Sequence, residues 1–231
     1  HLRAQWHDLA TSADTVMKPG NLNSVSAHSS LGAREQMFLI LFYAGALLRL
    51  LLCWANPPEN SFDDHFEPIL LIMKSGSIPA KNACFQCYNP PVFYWISAMI
   101  GRAAVGAGFS MPRVMKLLQF VCCSYGIATV GACYLILKKI PLSDFARLLA
   151  FGTVCFLPRH IYMSAMHSND TLCWMMMAVS VYLTLIALER KCSWPRLAAL
   201  SVVLTITVFT KYTAFAILPA VLAGIVSAWR Y

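Results

Sequence analysis

Two adjacent aspartates and a histidine, Asp63, Asp64 and His65, stand between two strongly apolar regions of the sequence. The chain is 58% hydrophobic and only 12% charged, so an acidic pair at this place needs an explanation. A carboxylate at a membrane surface can orient and deprotonate a nucleophile. Alternatively the pair starts a helix, because Ser61 followed by Asp64 matches a capping box and acidic residues favour a helix N-terminus. The residues alone leave both interpretations open.

Cys84 and Cys87 form a C-x-x-C pair further along the same stretch. If this surface faces an oxidising compartment, a local disulfide is the favoured interpretation. Half of a zinc site with His65 is the alternative, although no second C-x-x-C pair is present to complete it. We expect the other cysteines, which lie mostly in apolar segments, to be small buried hydrophobic residues.

Apolar runs make up most of the remaining sequence and must position these residues. The mean hydropathy is +0.60, and a helix of about 20 apolar residues spans the hydrocarbon core of a membrane. Six spans are predicted, two of them short and separated by Lys211; they are 37–54, 114–137, 145–163, 171–188 and two halves of 197–229. The sequence therefore predicts an all-α integral membrane protein, a multi-pass helical bundle.

Lysines and arginines are concentrated in alternate connections, and this bias predicts the orientation of the chain. The connections at 138–147 and 189–196 are basic and are predicted to be cytoplasmic, as is the N-terminus. The stretch 55–113 and the turn 167–170 are then external. Residues 1–33 are interpreted as a flexible cytoplasmic leader or as upstream translation. The net charge of +8 is mostly this bias, and no basic cluster indicates a nucleic-acid partner.

The long external loop, 55–113, is predicted to contain two interfacial helices. One follows the acidic pair, runs through residues 69–73 and is too short to span a membrane. The other covers 92–105, as an interfacial helix or as a short re-entrant one, and follows Pro91, a residue suited to the first turn of a helix. Several aromatic residues fit a belt at the level of the lipid headgroups, namely Phe85, Tyr88, Phe93, Tyr94 and Trp95.

Four segments in this order resemble glycosyltransferases of the GT-C fold. "FDDHF" resembles the Asp-Glu-x-His-Phe element of glycosyltransferase family 39, the protein O-mannosyltransferases. "CFQCYNPPVFYW" resembles a Cys-x-x-Cys-x-x-Pro-Pro-x-Tyr-Tyr segment of bacterial members and of the aminoarabinose transferases. "HSNDTL" and "TKYTAF" fall where these families carry an acidic residue and a lysine. The resemblance covers 34–231, which corresponds to the N-terminal part of a GT-C transmembrane domain. The pair is Asp-Asp here, and no residue separates it from the histidine.

The resemblance implies an inverting transfer of a sugar from a polyprenyl- or dolichyl-phosphate carrier to a protein, lipid or glycan acceptor. The transfer would occur at the external face of a bacterial inner membrane or of the endoplasmic reticulum membrane. Asp63 would be the base, and Asp64 would hold the site geometry or share a proton or a divalent metal ion with it. His65, Asp170, Lys211 and Arg102 would contact the substrate.

Each of the more distant candidates also has a structural interpretation. Asp170 could belong to a helix cap together with the Ser-Asn before it, and His167 is interpreted as an ordinary interface histidine. Lys211 could attract the donor phosphate as a point charge, or extend from a helix end towards the membrane surface. Arg102 could bind the same phosphate or anchor an interfacial helix.

Two other classes of function compete with the glycosyltransferase interpretation. A transporter or channel subunit would place ionisable residues opposite one another in the membrane and show a repeat. Arg49 and Lys211 are the clear intramembrane charges, and no repeat is visible. A non-catalytic membrane scaffold would have no requirement for an acidic pair and would tolerate Asp63→Asn.

Overall fold

Helices form most of the chain in a computed structural model that describes residues 32–58, 64–189 and 193–229. No strand occurs in these ranges. We number the α-helices in chain order, and a 3₁₀ helix at Tyr212–Ile217 precedes the last of them. The helices are α1 Ala33–Ala55, α2 Phe66–Ser75, α3 Val92–Gly106, α4 Met111–Lys139, α5 Asp144–Phe156, α6 Pro158–Ser164, α7 Asn169–Glu189, α8 Trp194–Val208 and α9 Leu218–Trp229.

Three of the described helices, α1, α4 and α7, are long and apolar enough to cross a membrane. They correspond to the predicted spans at 37–54, 114–137 and 171–188. Helix α4 lies between the other two and packs along both. Each is a continuous run of more than 20 residues, so length and composition alone were sufficient to predict it.

The third predicted span, 145–163, is wrong as a single helix. Helix α5 ends at Phe156, Leu157 adopts an extended conformation, and α6 begins at Pro158. Proline has no N–H to donate and its ring clashes with the preceding turn, so the first helix cannot continue through it. Two short helices therefore replace the expected span.

Arg49 on α1 compensates for this break. Its side chain is fully buried, and Nη1 donates hydrogen bonds to the carbonyl oxygens of Cys155 (2.8 Å) and Gly45 (2.9 Å). Nη2 donates to Nδ1 of His160 at 2.7 Å. A helix end within an apolar environment leaves carbonyl groups without partners. The one charged residue of the first span therefore supplies donors where α5 stops.

The last two predicted spans are also too short to count as membrane-crossing helices among the described residues. Helix α8 has 15 residues and α9 has 12. The chain between them leaves the α-helical conformation at Lys211, which is extended (φ −156°, ψ 135°), and re-enters through the 3₁₀ helix. Lys211 thus stands at a break between helices, as its position in the apolar stretch predicts.

Helices α2 and α3 occur where the sequence predicts two short helices, and they pack on each other. Gly76 ends α2 with a positive φ of 76°, and its N–H bonds to the carbonyl of Ile72. This left-handed conformation is one that glycine adopts without steric cost. A buried cluster joins the pair to α4 and α7 and includes Phe66, Ile69, Ile72, Phe93, Tyr94, Val114, Leu118 and Leu172.

Candidate functional site

The side chain of Asp64 forms the start of α2. Its Oδ1 accepts hydrogen bonds from the backbone N–H groups of Phe66 (2.8 Å) and Glu67 (3.2 Å). These are two of the donors that a helix N-terminus leaves unsatisfied. Asp64 therefore has the helix-starting role, while Asp63 and Ser61 lie outside the described residues.

His65 connects the starts of three helices. It is buried, and its Nδ1 hydrogen-bonds the hydroxyl of Tyr94 in the first turn of α3 at 2.8 Å. Its Nε2 lies 3.5 Å from Oγ of Ser168, the residue before α7. The ring also stacks on that of Tyr94, with centroids 5.9 Å apart. The residue next to the acidic pair is thus held by side chains of two other helix starts.

Asp170 forms an ion pair with Lys211 at the beginning of α7. The lysine Nζ donates to Asp170 Oδ1 at 2.6 Å, and the two side chains are only 24% and 15% exposed. Oγ of Ser168 accepts from the backbone N–H of Asp170 at 3.3 Å. The cap of α7 is therefore Ser168, and the carboxylate of Asp170 is available for the lysine.

The break between α8 and the 3₁₀ helix completes this arrangement. The carbonyl of Phe209 accepts a hydrogen bond from the N–H of Val92 at 3.1 Å. The amide of Asn169 lies 3.5 Å from the carbonyl of Thr210. The N-termini of α3 and α7 therefore meet the segment that carries Lys211, and His65 links the start of α2 to both of these helix starts. Helix N-termini are positive ends of the helix dipole, so such a junction favours a bound anion.

The structure does not bring Arg102 to this junction. Its Nε donates to the carbonyl of Met73 at 2.9 Å, near the C-terminal end of α2. Met73 lies seven positions after Phe66, the first residue of α2, which at a rise of 1.5 Å per residue is about 10 Å from the start of that helix. Arg102 thus supplies a donor to the last turn of α2.

Cys84 and Cys87 are joined by a disulfide in the segment before α3. Their sulfur atoms are therefore bonded to each other, an arrangement that does not fit half of a zinc site with His65. Within the described ranges, no group of three or more His, Cys, Asp or Glu side chains is arranged to hold a metal ion. The described free cysteines are mostly buried, as the sequence predicts.

Sequence reasoning did not identify Lys116, which holds the end of α1. Its Nζ donates to the carbonyl oxygens of Cys53 (3.0 Å) and Asn56 (2.7 Å), and to Oε1 of Gln119 (2.9 Å). Gln119 is fully buried and donates to the carbonyl of Ala165 at 2.7 Å. A lysine in the early turns of a membrane helix lies at the unfavourable end of its dipole. That position was the available signal that Lys116 needs acceptors elsewhere.

His167, which the sequence suggests is an ordinary interface histidine, is buried in the structure. It is only 4% exposed, and neither ring nitrogen has a hydrogen-bond partner. Its ring lies against those of Phe66 (centroids 5.8 Å apart) and Phe93 (5.5 Å). Burial, with a smaller effect from His65, lowers the pKa of His167 to about 3. Its burial depends on rings from two distant helices, for which the local sequence has no signal.

A comparison with protein-family models matches residues 89–231 to the model described as "Dolichyl-phosphate-mannose-protein mannosyltransferase". The match covers more than half of the chain and includes Asp170 and Lys211. Asp63, Asp64 and His65 precede it. No curated protein and no solved structure matches the chain.

Proposed function

The chain belongs to the dolichyl-phosphate-mannose-protein mannosyltransferase family, and on that basis we propose that it transfers a sugar from a dolichyl- or polyprenyl-phosphate carrier to an acceptor outside the cytoplasm. Family membership confirms the resemblance stated from the sequence. Together with the helical architecture it supports an all-α integral membrane fold of the GT-C type. The family is one of glycosyltransferases that use a lipid-linked sugar.

The observation that carries this proposal is the junction of helix starts around His65, Ser168 and the Asp170–Lys211 pair. A donor of this class has an anionic phosphate that becomes the leaving group. Lys211 uses one of its N–H groups on Asp170 and retains others for a phosphate oxygen. The positive ends of α3 and α7, which contact the Lys211 segment, add to this attraction. Positive charge and dipoles directed at a leaving phosphate stabilise the transition state.

The two aspartates would have different tasks. Asp63 would accept the proton of the acceptor hydroxyl as it attacks the anomeric carbon of the donor sugar. The bond between that carbon and the phosphate oxygen would break, its electron pair would remain on the phosphate, and the configuration would invert. Asp64 would fix the position of its neighbour, because its own Oδ1 is bound to the first turn of α2.

Further details belong to the proposal. The family's description points to mannose as the sugar and a protein as the acceptor. The distribution of lysine and arginine supports a cytoplasmic N-terminus and a site on the opposite face, in a bacterial inner membrane or in the endoplasmic reticulum.

The test is transfer of label from radiolabelled polyprenyl-phosphate sugars by the full-length protein in membranes. Asp63→Asn should abolish most transfer while the protein remains folded and equally expressed. Glu67→Gln is the matched control, because it neutralises an exposed carboxylate on the first turn of α2 and should leave transfer nearly unchanged. If the native protein and Asp63→Asn transfer equal amounts of label, Asp63 is not the catalytic base. No transfer by the native protein with a full set of donors would contradict the proposed function.

A further inference from the structure

Three polar atoms without partners lie in the turn that leads into α7. They are both ring nitrogens of His167 and Oδ1 of Asn169. Both side chains are buried, with exposed fractions of 4% and 0%. Buried polar groups in folded proteins are almost always hydrogen-bonded, so each exception needs a reason such as a bound molecule. These atoms lie beside the junction already described, because Ser168, between them, is 3.5 Å from His65.

The surroundings of His167 limit what could satisfy it. Two aromatic rings, those of Phe66 and Phe93, lie against the imidazole. The same ring of Phe93 also contacts His65, with centroids 6.3 Å apart. His167 therefore belongs to an aromatic cluster that also includes His65, the residue after the capping Asp64. A group that bonded to His167 would be desolvated and would lie beside aromatic rings.

The chemistry of the imidazole selects the ligand class. Burial lowers the pKa of His167 to about 3, so at neutral pH the ring is uncharged and has one donor and one acceptor nitrogen. A phosphate oxygen accepts hydrogen bonds and would leave the acceptor nitrogen unused. A hydroxyl group both donates and accepts, so one such group can bond to either nitrogen of the neutral imidazole. The acceptor oxygen of Asn169 is a second partner for a hydroxyl.

We propose that His167, assisted by Asn169, binds a hydroxyl of the donor sugar and so recognises the sugar rather than the carrier phosphate. This inference rests on the proposed function and adds a substrate-binding residue to it. It assigns different parts of the donor to the two sides of the junction. Lys211 and the helix starts bind the phosphate, and the cluster around His167 binds the sugar.

The experiment compares two ligands, dolichyl phosphate mannose and dolichyl phosphate without sugar, on the full-length protein in lipid nanodiscs. Two variants are measured with the native protein. His167→Phe removes both nitrogens in a site already lined by phenylalanine rings, and His167→Gln retains a donor and an acceptor. Dissociation constants and melting temperatures are measured for all three proteins.

We expect His167→Phe to weaken binding of the mannosylated carrier about tenfold or more, because a hydroxyl would lose its partners. Binding of the carrier without sugar should be unchanged, and the melting temperature should be equal or higher because two unsatisfied polar atoms are gone. His167→Gln should recover part of the loss. A loss of affinity confined to the mannosylated ligand, in a folded protein, supports the inference.

Other results overturn it. If His167→Phe binds both ligands as the native protein does, an ordered water rather than a sugar satisfies the imidazole. If His167→Phe weakens the binding of both ligands equally, His167 contributes to binding of the carrier phosphate or to the stability of the fold. Failure of the proposed function looks different, since the native protein would then bind neither ligand.

Discussion

Lys211 donates a 2.6 Å hydrogen bond to the carboxylate of Asp170 across 41 positions of the chain. The pair joins the break after α8 to the first turn of α7. It also keeps a cation at a junction of helix starts, where helix dipoles alone would repel it. The ion pair therefore explains how a lysine remains where a phosphate can reach it.

Lys211→Met should weaken the use of the donor, because it removes the cation from this junction. We expect KM for the lipid-linked sugar to rise about 10- to 100-fold, the range for a charge-assisted hydrogen bond. Asp170→Asn keeps the lysine charge and retains an oxygen that can accept its hydrogen bond, so it should raise KM by less than Lys211→Met does. Asp170→Asn should also lower the free energy of unfolding by about 1–2 kcal/mol, because the Asp170–Lys211 pair is only partly buried. Steady-state kinetics and thermal unfolding of both variants check this, and equal KM values in Lys211→Met and native protein would contradict it.

Gly126→Ala should destabilise the packing of α4 on α6. A Cβ at this position would meet Oγ and Cβ of Ser164, which is fully buried. Overpacking of this kind costs about 1–3 kcal/mol. Gly131→Ala on the same helix is the matched control, because its nearest neighbour, an atom of Phe42, would be 3.9 Å away. In thermal unfolding, Gly126→Ala should have the lower melting temperature of the two variants. Equal melting temperatures would show that α6 can move to accommodate the added methyl group without loss of stability.

The C-x-x-C pair should be oxidised in the native membrane. Thiol alkylation followed by mass spectrometry, without a reductant, should leave Cys84 and Cys87 unlabelled. Replacing both cysteines with serine should lower stability by about 2 kcal/mol, the entropic value for a loop of four residues. Cys133→Ser, at a half-buried free cysteine of α4, is the control and should have a smaller effect. Alkylation of both residues in the untreated protein would contradict the prediction.

Stability should fall on acidification because of His167. Its pKa is about 3 in the folded protein and near 6.5 when unfolded. The unfolded chain therefore binds a proton between these values and the folded chain does not. Stability from this group is complete above about pH 6.5 and decreases towards pH 3, by up to about 1.4 kcal/mol per pH unit.

Melting temperatures at pH 7, 6 and 5 measure this effect. His167→Phe provides the comparison, because it retains His65 and the carboxylates and loses only this imidazole. The native protein should lose more stability than the variant over the same pH interval. Parallel curves for the two proteins would mean that His167 has the same pKa in the folded and the unfolded state.

Much of the architecture could be predicted because it depends on local properties of the sequence. α1, α4 and α7 are apolar runs of sufficient length, and α2 and α3 have acidic, Gly and Pro residues at their ends. The prediction of a single span over 145–163 is wrong because it rests on apolar composition and disregards Pro158, which ends the helix. The partner that makes this break tolerable, Arg49, lies 106 positions before Cys155.

The candidate site was predictable in its residue types and not in its pairing. Asp170 and Lys211 were both identified, but their contact depends on how α7 and α8 pack. The sequence around His167 does not show that it is buried, because the rings that cover it, Phe66 and Phe93, belong to two other helices. Arg102 looked similar to Lys211 as a candidate, and it differs because the last turn of α2 offers it a carbonyl. These distinctions arise from tertiary contacts.

The contact between Arg49 and the end of α5 also has a consequence for biogenesis. A ribosome adds about 5–20 residues per second, so Cys155 is made roughly 5–20 s after Arg49. During that time α1 would hold an arginine without its acceptors on α5 and α6, at a cost of about 2.5–3.5 kcal/mol in the centre of a bilayer. We therefore expect the insertion machinery to retain α1 beside protein or water until α5 and α6 have emerged, so that these helices enter the lipid together.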